Sequence, residues 1–233
     1  MEAVMAKQIE GVYEAVLACA KKEFLEKGYK DASLRVIAQA AGTSTGSIYT
    51  RFKDKAGLFD AIVGPAADQL KDMFVEIQEN FHSLDDSTQE AEMGEYTSRH
   101  QMEMLEYIYD HFDEFRLLLD CSDGTRFSGF VDELVDIEVE YTYKYMEVIN
   151  CESVKSGVVT EDFIHIIVTA YFNGMFEVVR HNMSRDDARS ISGCSTDTIC
   201  RDSPLFSIRR SRNNRYSDNQ AVSCPVPQVM ALL

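Results

Sequence analysis

Small hydroxyl-bearing side chains are concentrated in one short stretch of the chain, between residues 43 and 51. The polar residues of this stretch are Thr43, Ser44, Thr45, Ser47, Tyr49, Thr50 and Arg51. Such groups form hydrogen bonds with base edges and phosphate oxygens while adding little net charge to the segment. This composition is typical of a short helix that lies in the major groove of DNA.

Apolar residues around this stretch indicate two short helices joined by a tight turn. The first helix is marked by apolar residues at helical spacing, Leu34, Ile37, Ala38 and Ala41. Gly42 then interrupts the pattern, and Ser44 can cap a second helix whose inner side carries Ile48 and Phe52. The arrangement predicts a helix-turn-helix, in which the first helix crosses the sugar-phosphate backbone and the second reads the groove.

This unit, with a preceding helix that ends at Gly28, resembles the DNA-binding domain of TetR-family transcriptional regulators. The residues that match the family pattern are Ala41, Gly42, Ser44, Gly46, Ile48, Tyr49, Phe52 and Lys55. The resemblance covers about residues 8–62 and departs mildly at Ala32 and Thr43, where Thr and an aliphatic residue are usual. It implies a three-helix DNA-binding domain followed by a helical domain that binds a ligand and dimerises.

Three residues outside the short stretch are candidates for contacts with phosphate. Ser33 can cap the first helix of the pair, and the N-terminus of a helix attracts anions. Arg35 follows on the exposed face, where the alternative is a solvated surface charge. Lys55 begins the next helix, where a cation opposes the helix dipole, and this penalty favours a phosphate partner over an idle surface position.

Two residues within the short stretch leave alternatives open. The resemblance implies that Tyr49 offers its hydroxyl to a phosphate, and the competing interpretation is a plain core tyrosine. Gly46 lowers helix stability by roughly 1 kcal/mol relative to Ala. A close approach of the backbone to DNA or to the crossing helix would explain a glycine here. The alternative is that the position tolerates glycine without requiring it.

The net charge of −16 is carried by the middle of the chain. Residues 1–60 contain nine Lys and Arg against eight Asp and Glu, whereas residues 61–192 contain nine against 28. Acid is therefore concentrated where no nucleic acid need approach. With 233 residues, the chain predicts a DNA-binding domain over residues 1–60, a helical ligand-binding and dimerisation domain over residues 61–189, and a tail over residues 190–233.

Beyond residue 54 the pattern is helical throughout, which predicts an all-α protein. The predicted helices are 55–81 with a kink at Pro65, one opened by a capping box over 87–90, a shorter one around Phe115, 127–149, 163–182 capped by Thr160, and one capped by Ser184. Aromatic and methionine side chains line several faces. Ordinary core packing is the alternative to a ligand chamber, for which the candidates are Met93, His100, Met104, Phe127, Phe130, Phe172 and Phe176.

Several classes of protein receive no support from the sequence. The six cysteines form no CxxC pair, and the five histidines show no ligand spacing, so no metal site is predicted. There is no phosphate-binding glycine loop or nucleophile elbow, and we expect neither an enzyme nor a cofactor. The uninterrupted apolar runs are too short for a bilayer, and no secretory signal is present, so a cytoplasmic protein without membrane contact is expected.

The end of the chain departs from this regular pattern. After Arg189 the periodicity is lost, which predicts a disordered tail, and residues 208–215 form a basic run that is a solvated tail or a further nucleic-acid contact. The resemblance implies that the helix capped by Ser184 pairs with the preceding helix at a dimer interface. The preceding helix, with Phe172, Met175, Phe176 and Val179, could also dimerise on its own.

Together these features predict a ligand-responsive regulator, a repressor that binds a palindromic operator in double-stranded DNA as a homodimer. A small apolar effector would release it, and the surrounding acid would also suit a cationic molecule. The alternative is an acidic all-helical interaction protein that keeps the helix-turn-helix shape without reading DNA.

Overall fold

The computed structural model describes residues 2–193, with side chains for residues 11–192, and all regular secondary structure in that range is helical. The helices are α1 (Glu2–Asp31), α2 (Leu34–Ala40), α3 (Thr45–Phe52), α4 (Lys55–His82), α5 (Asp86–Asp110), α6 (Phe112–Cys121), α7 (Phe130–Val148), α8 (Glu152–Lys155), α9 (Glu161–Arg180) and α10 (Arg185–Gly193). The all-α prediction is confirmed for this part of the chain. The predicted disordered tail and basic run lie beyond residue 193, outside the described residues.

The chain divides into two compact units. Among the described residues, unit 1 consists of residues 2–73, Tyr107–Phe130 and Phe176–Asn182, and unit 2 consists of Phe74–Glu106, Val131–Met175 and residues 183–193. The domain boundaries predicted at residues 60 and 189 stay a prediction.

The core of unit 1 is built around buried aromatic rings from α1, α4 and the segment before α7. Phe24 and Phe59 are fully buried, and their ring centroids lie 5.3 Å apart in an edge-to-face arrangement. Tyr29 and Phe127 add further edges at 5.2 and 6.4 Å from Phe59. Such contacts add to the stabilisation from burial itself. Gly28 ends the regular part of α1, with φ 73° and ψ 167°.

A guanidinium group ties the segment before α7 to α4 within unit 1. Arg126 donates two hydrogen bonds to Asp68, at 3.1 and 2.8 Å, and a third to Asp60. The helix predicted from Phe127 begins at Phe130 instead, because the Thr125 hydroxyl accepts the backbone N–H of Phe127 at 3.2 Å. That bond replaces the helical one with a turn.

Helix α4 continues through Pro65 without interruption in its assigned helical structure. Because proline lacks a backbone N–H, the carbonyl of Ala61 receives no i+4 hydrogen bond from it. The predicted kink has no measured angle here and stays a prediction.

Helix α5 begins differently from its predicted capping box. Asp85, not Ser87, precedes the helix, and its carboxylate accepts hydrogen bonds from the backbone N–H of Thr88 at 3.2 Å and from the Thr88 hydroxyl at 2.7 Å. The Ser87 hydroxyl donates to the same carboxylate. These bonds hold the pKa of Asp85 low, at about 2. A carboxylate is the stronger acceptor, so it takes the capping position.

The caps predicted for the last two helices are confirmed. The Thr160 hydroxyl accepts the backbone N–H of Phe163 at 3.3 Å, and the Ser184 hydroxyl accepts that of Asp187 at 3.1 Å. Glu106 of α5 then holds α10 by accepting hydrogen bonds from Arg185 at 3.2 Å and from Arg189 at 2.7 Å.

Helix α9 is long and apolar enough, by length and composition alone, to cross a membrane, and 33% of its most apolar window is buried in the protein. A count of uninterrupted apolar runs misses it, because Thr169 and Asn173 interrupt the sequence. The helix packs Ile164, Val168 and Phe172 into the interior, as core helices do. The predicted absence of membrane contact stays a prediction.

Candidate nucleic-acid interface and aromatic cavity

A glycine-dependent turn sets α3 against α2. The backbone N–H of Thr43 donates to Ala38 O at 2.9 Å, and that of Gly42 donates to Gln39 O at 3.3 Å. This pair of bonds defines a Schellman motif, whose residue after the helix end requires positive φ. Gly42 has φ 65°, which L side chains rarely adopt. The predicted turn is therefore present and has a fixed geometry.

Ser44 caps α3 as predicted. Its hydroxyl oxygen accepts the backbone N–H of Ser47 at 3.1 Å, and the two serine hydroxyls lie 3.1 Å apart. The cap satisfies one of the free N–H groups of the first turn.

The two faces of α3 differ sharply in exposure. Ile48 and Phe52 are buried, and Phe52 stacks on Tyr13 of α1 with ring centroids 5.6 Å apart. The side chains that point away from this core are Ser47, Tyr49, Thr50 and Arg51, all exposed, while Thr43 and Thr45 are half-buried. Tyr49 is 53% exposed, so the interpretation as a core tyrosine is wrong.

Two exposed residues of α3 have additional contacts that orient them. The Thr50 hydroxyl donates to Gly46 O, one turn earlier, at 2.9 Å, which leaves its oxygen free only as an acceptor. The guanidinium carbon of Arg51 lies 4.9 Å from the centroid of the Tyr13 ring. This cation–π contact restricts the position of the arginine side chain.

Gly46 and Gly57 are glycines for different reasons. A Cβ on Gly57 would lie 1.9 Å from Phe52 O, so the chain itself excludes any side chain there. A Cβ on Gly46 would meet only the Ser44 hydroxyl, at an ordinary 3.6 Å. Crowding by the crossing helix therefore does not explain Gly46. Two explanations are left: the position tolerates a glycine without requiring one, or the backbone approaches DNA closely at this point.

Lys55 has partners inside the protein. Its ammonium donates to Lys30 O at 2.9 Å and to Ala32 O at 3.3 Å, and it lies 4.9 Å from the centroid of the Tyr29 ring. These bonds hold the start of α4 against the end of α1. An ammonium has three N–H donors, so one remains for a phosphate.

The start of α2 is also partly engaged. Ser33 occupies the capping position, but its side chain makes no capping hydrogen bond. Its backbone N–H donates to the Glu23 carboxylate at 3.1 Å. This N–H, predicted to contact a DNA phosphate, is therefore already bonded to a carboxylate of the protein. Arg35 is exposed, as predicted.

The turn, the capped α3 and its exposed hydroxyl face define a helix-turn-helix protein. Residues 16–62 match the family model described as bacterial regulatory proteins, tetR family. The repressor BepR of Brucella suis is 43% identical over 53 residues, which are 23% of this chain and 25% of that protein. The regulator YvdT of Bacillus subtilis is 41% identical over 58 residues, 25% of this chain and 30% of that protein.

Similarity in fold extends further than similarity in sequence. The chain spans between a quarter and three tenths of these curated relatives. The crystal structure of NalD, the secondary repressor of a multidrug efflux pump in Pseudomonas aeruginosa, superposes with a TM-score of 0.54 at 19% identity. That match covers 84% of this chain and 94% of NalD. Residues 16–62 therefore form a DNA-binding domain of the tetR type, and the likeness to NalD shows that the remainder of the described chain has a similar helical fold.

Unit 2 contains a cavity lined mainly by aromatic and methionine side chains. Its lining residues are Phe74, Ile77, Gln78, Phe81, His82, Met93, Tyr96, Thr97, His100, Gln101, Met104, Glu138, Tyr141, Thr142, Tyr145, Tyr171, Phe172 and Met175. The space open to the centres of water-sized molecules is about 60 Å³. That volume holds a few waters.

Four of the seven predicted ligand-contacting residues line this cavity. They are Met93, His100, Met104 and Phe172. The other three, Phe127, Phe130 and Phe176, do not line it and are buried in unit 1, where Phe130 and Phe176 pack with ring centroids 6.5 Å apart. Helical spacing cannot distinguish a cavity wall from a packed core, because both need large apolar groups.

The most unusual polar group in the cavity is the carboxyl of Glu138, which the sequence-based list lacked. Glu138 is 6% exposed, and it accepts a hydrogen bond from Gln78 Nε2 at 2.6 Å. Burial raises the pKa of its carboxyl to about 7, against the opposing effects of the Thr142 hydroxyl and of the hydrogen bond from Gln78. Its position in the sequence is consistent with burial, because Glu138 lies four residues after Leu134 and three before Tyr141, on the apolar side of α7.

The histidines of the cavity do not form a metal site. His82 is half-buried, and burial, with the charge of Lys144, lowers its pKa. His100 Nδ1 lies 3.0 Å from Glu103 Oε2. In the part of the chain that the structure describes, no three His, Cys, Asp or Glu side chains are grouped to hold a metal ion.

Proposed function

We propose that the protein is a cytoplasmic transcriptional repressor that binds a palindromic operator in double-stranded DNA. The observation that carries this proposal is the exposed face of α3, where Ser47, Thr50 and Arg51 project from a helix fixed by Gly42 and Ser44. These side chains have the hydrogen-bonding groups that base edges require. Thr45 and Thr50 read bases, while Ser33, Arg35, Tyr49 and Lys55 contact phosphates.

The operator is bound by a homodimer, in which two α3 helices occupy successive major grooves about 34 Å apart or a multiple of that distance. The residues first considered for pairing through α9 are mostly unsuitable, because Phe172, Phe176 and Val179 are buried within a single chain. The exposed face of α9 instead carries Ile166, 63% exposed, and the small residue Ala170. This face supports the dimer contact.

A small apolar effector in the unit 2 cavity releases the operator. Release requires that the effector bind the conformer with low DNA affinity more tightly than the other, because only differential affinity shifts an equilibrium. The lining supports an effector with rings or alkyl chains, and its methionines can adapt to different shapes. The open space is small, so a larger effector must displace side chains.

Selection of DNA from a random oligonucleotide pool, followed by gel-shift titration of the recovered sequence, tests the proposal. A palindromic consensus and saturable binding support it. The competing function, an acidic interaction protein that does not read DNA, predicts no enrichment. In that case upstream DNA of the protein's own locus would also fail to shift.

A further inference from the structure

Glu138 lies buried beside an aromatic cavity and lacks a cationic partner. None of the ion pairs among the described side chains includes it. Lys144, on the same helix, is held elsewhere, since its ammonium lies 2.7 Å from Glu140 Oε1 and 4.0 Å from the centroid of the Tyr141 ring. A buried carboxyl without a cation stays protonated up to a raised pKa, and an ammonium group in the cavity would supply the opposite charge that its ionised form lacks.

A second buried polar group of the cavity, the Thr142 hydroxyl, lies beside the Glu138 carboxyl. The Thr142 hydroxyl is one turn after Glu138, and the residue is 2% exposed. The hydroxyl interacts with the Glu138 carboxyl closely enough to lower its pKa, but no atom lies in ordinary hydrogen-bond geometry to Oγ1. Buried hydroxyls without a partner are rare in proteins. An N–H donor placed between Glu138 and Thr142 would satisfy both groups.

The aromatic lining provides the remaining part of a site for an organic cation. Tyr96 uses its hydroxyl to donate to Ile77 O at 3.0 Å, so it presents its ring rather than its oxygen to the cavity. Phe74 and Phe172 pack edge to face with centroids 5.7 Å apart. Ring faces attract cations, and the methionines offer adaptable contacts to a hydrocarbon body.

We propose that this cavity binds an amphipathic organic ammonium ion with at least one N–H, whose charge pairs with Glu138 and whose N–H also reaches Thr142. The aromatic and methionine side chains hold its apolar part. This inference rests on the proposed function in that it takes the cavity to be the effector site, and it adds the chemical class of the effector.

Matched probes test the charge requirement directly. Protonated phenylalkylamines, from benzylamine to 4-phenylbutylamine, are compared with the corresponding phenylalkyl alcohols by isothermal titration calorimetry at pH 8. For at least one pair, the ammonium binds tenfold or more tightly than the alcohol. In Glu138→Gln that ratio falls to about one, while in the exposed control Glu147→Gln on the same helix it is unchanged.

A second variant tests the hydrogen-bonding part. Thr142→Val lowers the affinity for the primary ammonium severalfold, but it leaves the affinity for the trimethylammonium analogue, which lacks an N–H, unchanged. Thermal unfolding of each variant verifies that it is folded. The proposal is overturned if no ammonium of the series binds, if wild type shows no preference for charge, or if Glu138→Gln keeps the preference.

The dependence of probe affinity on pH distinguishes ionisation of Glu138 from ionisation of the other groups that line the cavity. The groups that face the cavity and titrate are His82 of α4, His100 and Tyr96 of α5, Tyr141 and Tyr145 of α7 and Tyr171 of α9. Affinity for the trimethylammonium probe rises as the Glu138 carboxyl ionises through about pH 7, and the rise is lost in Glu138→Gln. A rise retained in that variant would assign it to a histidine and overturn this assignment.

Failure of this inference is distinguishable from failure of the proposed function. If the ammonium binds as described but the selected operator stays bound, the site stands and effector release is wrong. If a neutral apolar molecule releases the operator while charge has no effect, the repressor proposal stands and the inference is wrong.

Discussion

Single residues in this protein separate the demands of folding from those of recognition. Gly57 is required by the chain itself, because a side chain would collide with Phe52 O. Gly46 meets no such obstacle. Lys55 combines both demands, because its ammonium bonds two carbonyls at the end of α1 and keeps one donor.

Gly46→Ala is expected to leave the stability of the protein unchanged or raise it by up to about 1 kcal/mol, since alanine favours the helix. Operator affinity is expected to fall at least tenfold, because the added methyl lies on the exposed face near the groove. Thermal unfolding and gel-shift titration measure the two effects. Gly94→Ala in α5, where a Cβ would meet no neighbour within 4 Å, is the control and should keep full affinity. Undiminished binding by Gly46→Ala would mean that DNA binding does not require a glycine at this position.

Lys55→Ala is expected to weaken binding to all DNA sequences and to reduce the slope of log affinity against log salt by about 1, as loss of one phosphate contact does. Substitutions at Thr45 or Thr50 should instead change base preference. Salt titrations on several operators measure both effects. Since Lys55 also bonds Lys30 O, the unfolding temperature of Lys55→Ala must be recorded alongside. An unchanged slope with lowered stability would leave Lys55 only its internal role.

Glu138→Gln is expected to stabilise the protein above pH 7. The pKa of Glu138 is raised from 4.5 to about 7, so its contribution to stability is fully present below pH 4.5 and is lost as pH rises through 7. At about 1.4 kcal/mol per pKa unit, the difference is on the order of 3 kcal/mol. Urea unfolding of both forms between pH 4 and pH 8 measures it. Curves that stay parallel across this range would contradict the assignment.

At the scale of helices, three capping residues could be predicted correctly, whereas one cap and one short helix could not. Ser44, Thr160 and Ser184 can be predicted as caps because a hydroxyl just before a helical pattern can accept a backbone N–H of the first turn. The cap predicted for α5 at Ser87 is wrong, because the capping-box spacing of Ser87 and Glu90 favours Ser87, whereas the stronger acceptor, the Asp85 carboxylate, begins the helix two residues earlier. The short helix α8 was missed because four residues show no periodicity.

Asp85→Ala is expected to lower the unfolding temperature at pH 7, because the carboxylate accepts the bonds that begin α5. Its pKa is lowered to about 2 from 3.8, so the stabilisation is present above about pH 4 and is lost as pH falls through 2. The gap between variant and wild type should therefore narrow between pH 4 and pH 2. Asp86→Ala, in the first turn of α5, is the control. An equal effect of both would show that general charge, not capping, is responsible.

At the scale of the whole molecule, the all-α class and the helix-turn-helix could be predicted because local signals define them. Periodicity, Gly42 and Ser44 act within a few residues of each other. The cavity could be predicted only in part, because a chamber depends on which of several apolar faces meet. Glu138 escaped notice because a single carboxylate in an apolar stripe resembles any surface acid until its burial is known.

The dimer proposed here makes a prediction that belongs to the whole assembly. Ile166→Arg places a charge on the exposed face of α9 and should convert the dimer to a monomer, because desolvating an unpaired charge opposes association. Light scattering measures the mass, and gel-shift titration should show at least tenfold weaker operator binding. Val158→Arg, at an apolar residue 75% exposed outside α9, should change neither. A variant that remains dimeric would exclude this face.

The uneven distribution of charge has a consequence for how such a molecule would search a chromosome. Most regulators linger on random DNA because their basic surfaces displace counterions wherever they land. Here the 28 acidic residues between 61 and 192 weaken non-specific binding to DNA, while the first 60 residues, which are nearly neutral, still allow the DNA-binding domain to contact it. Residence on random sequence would be brief, and the protein would reach its target more by repeated collisions from solution than by sliding.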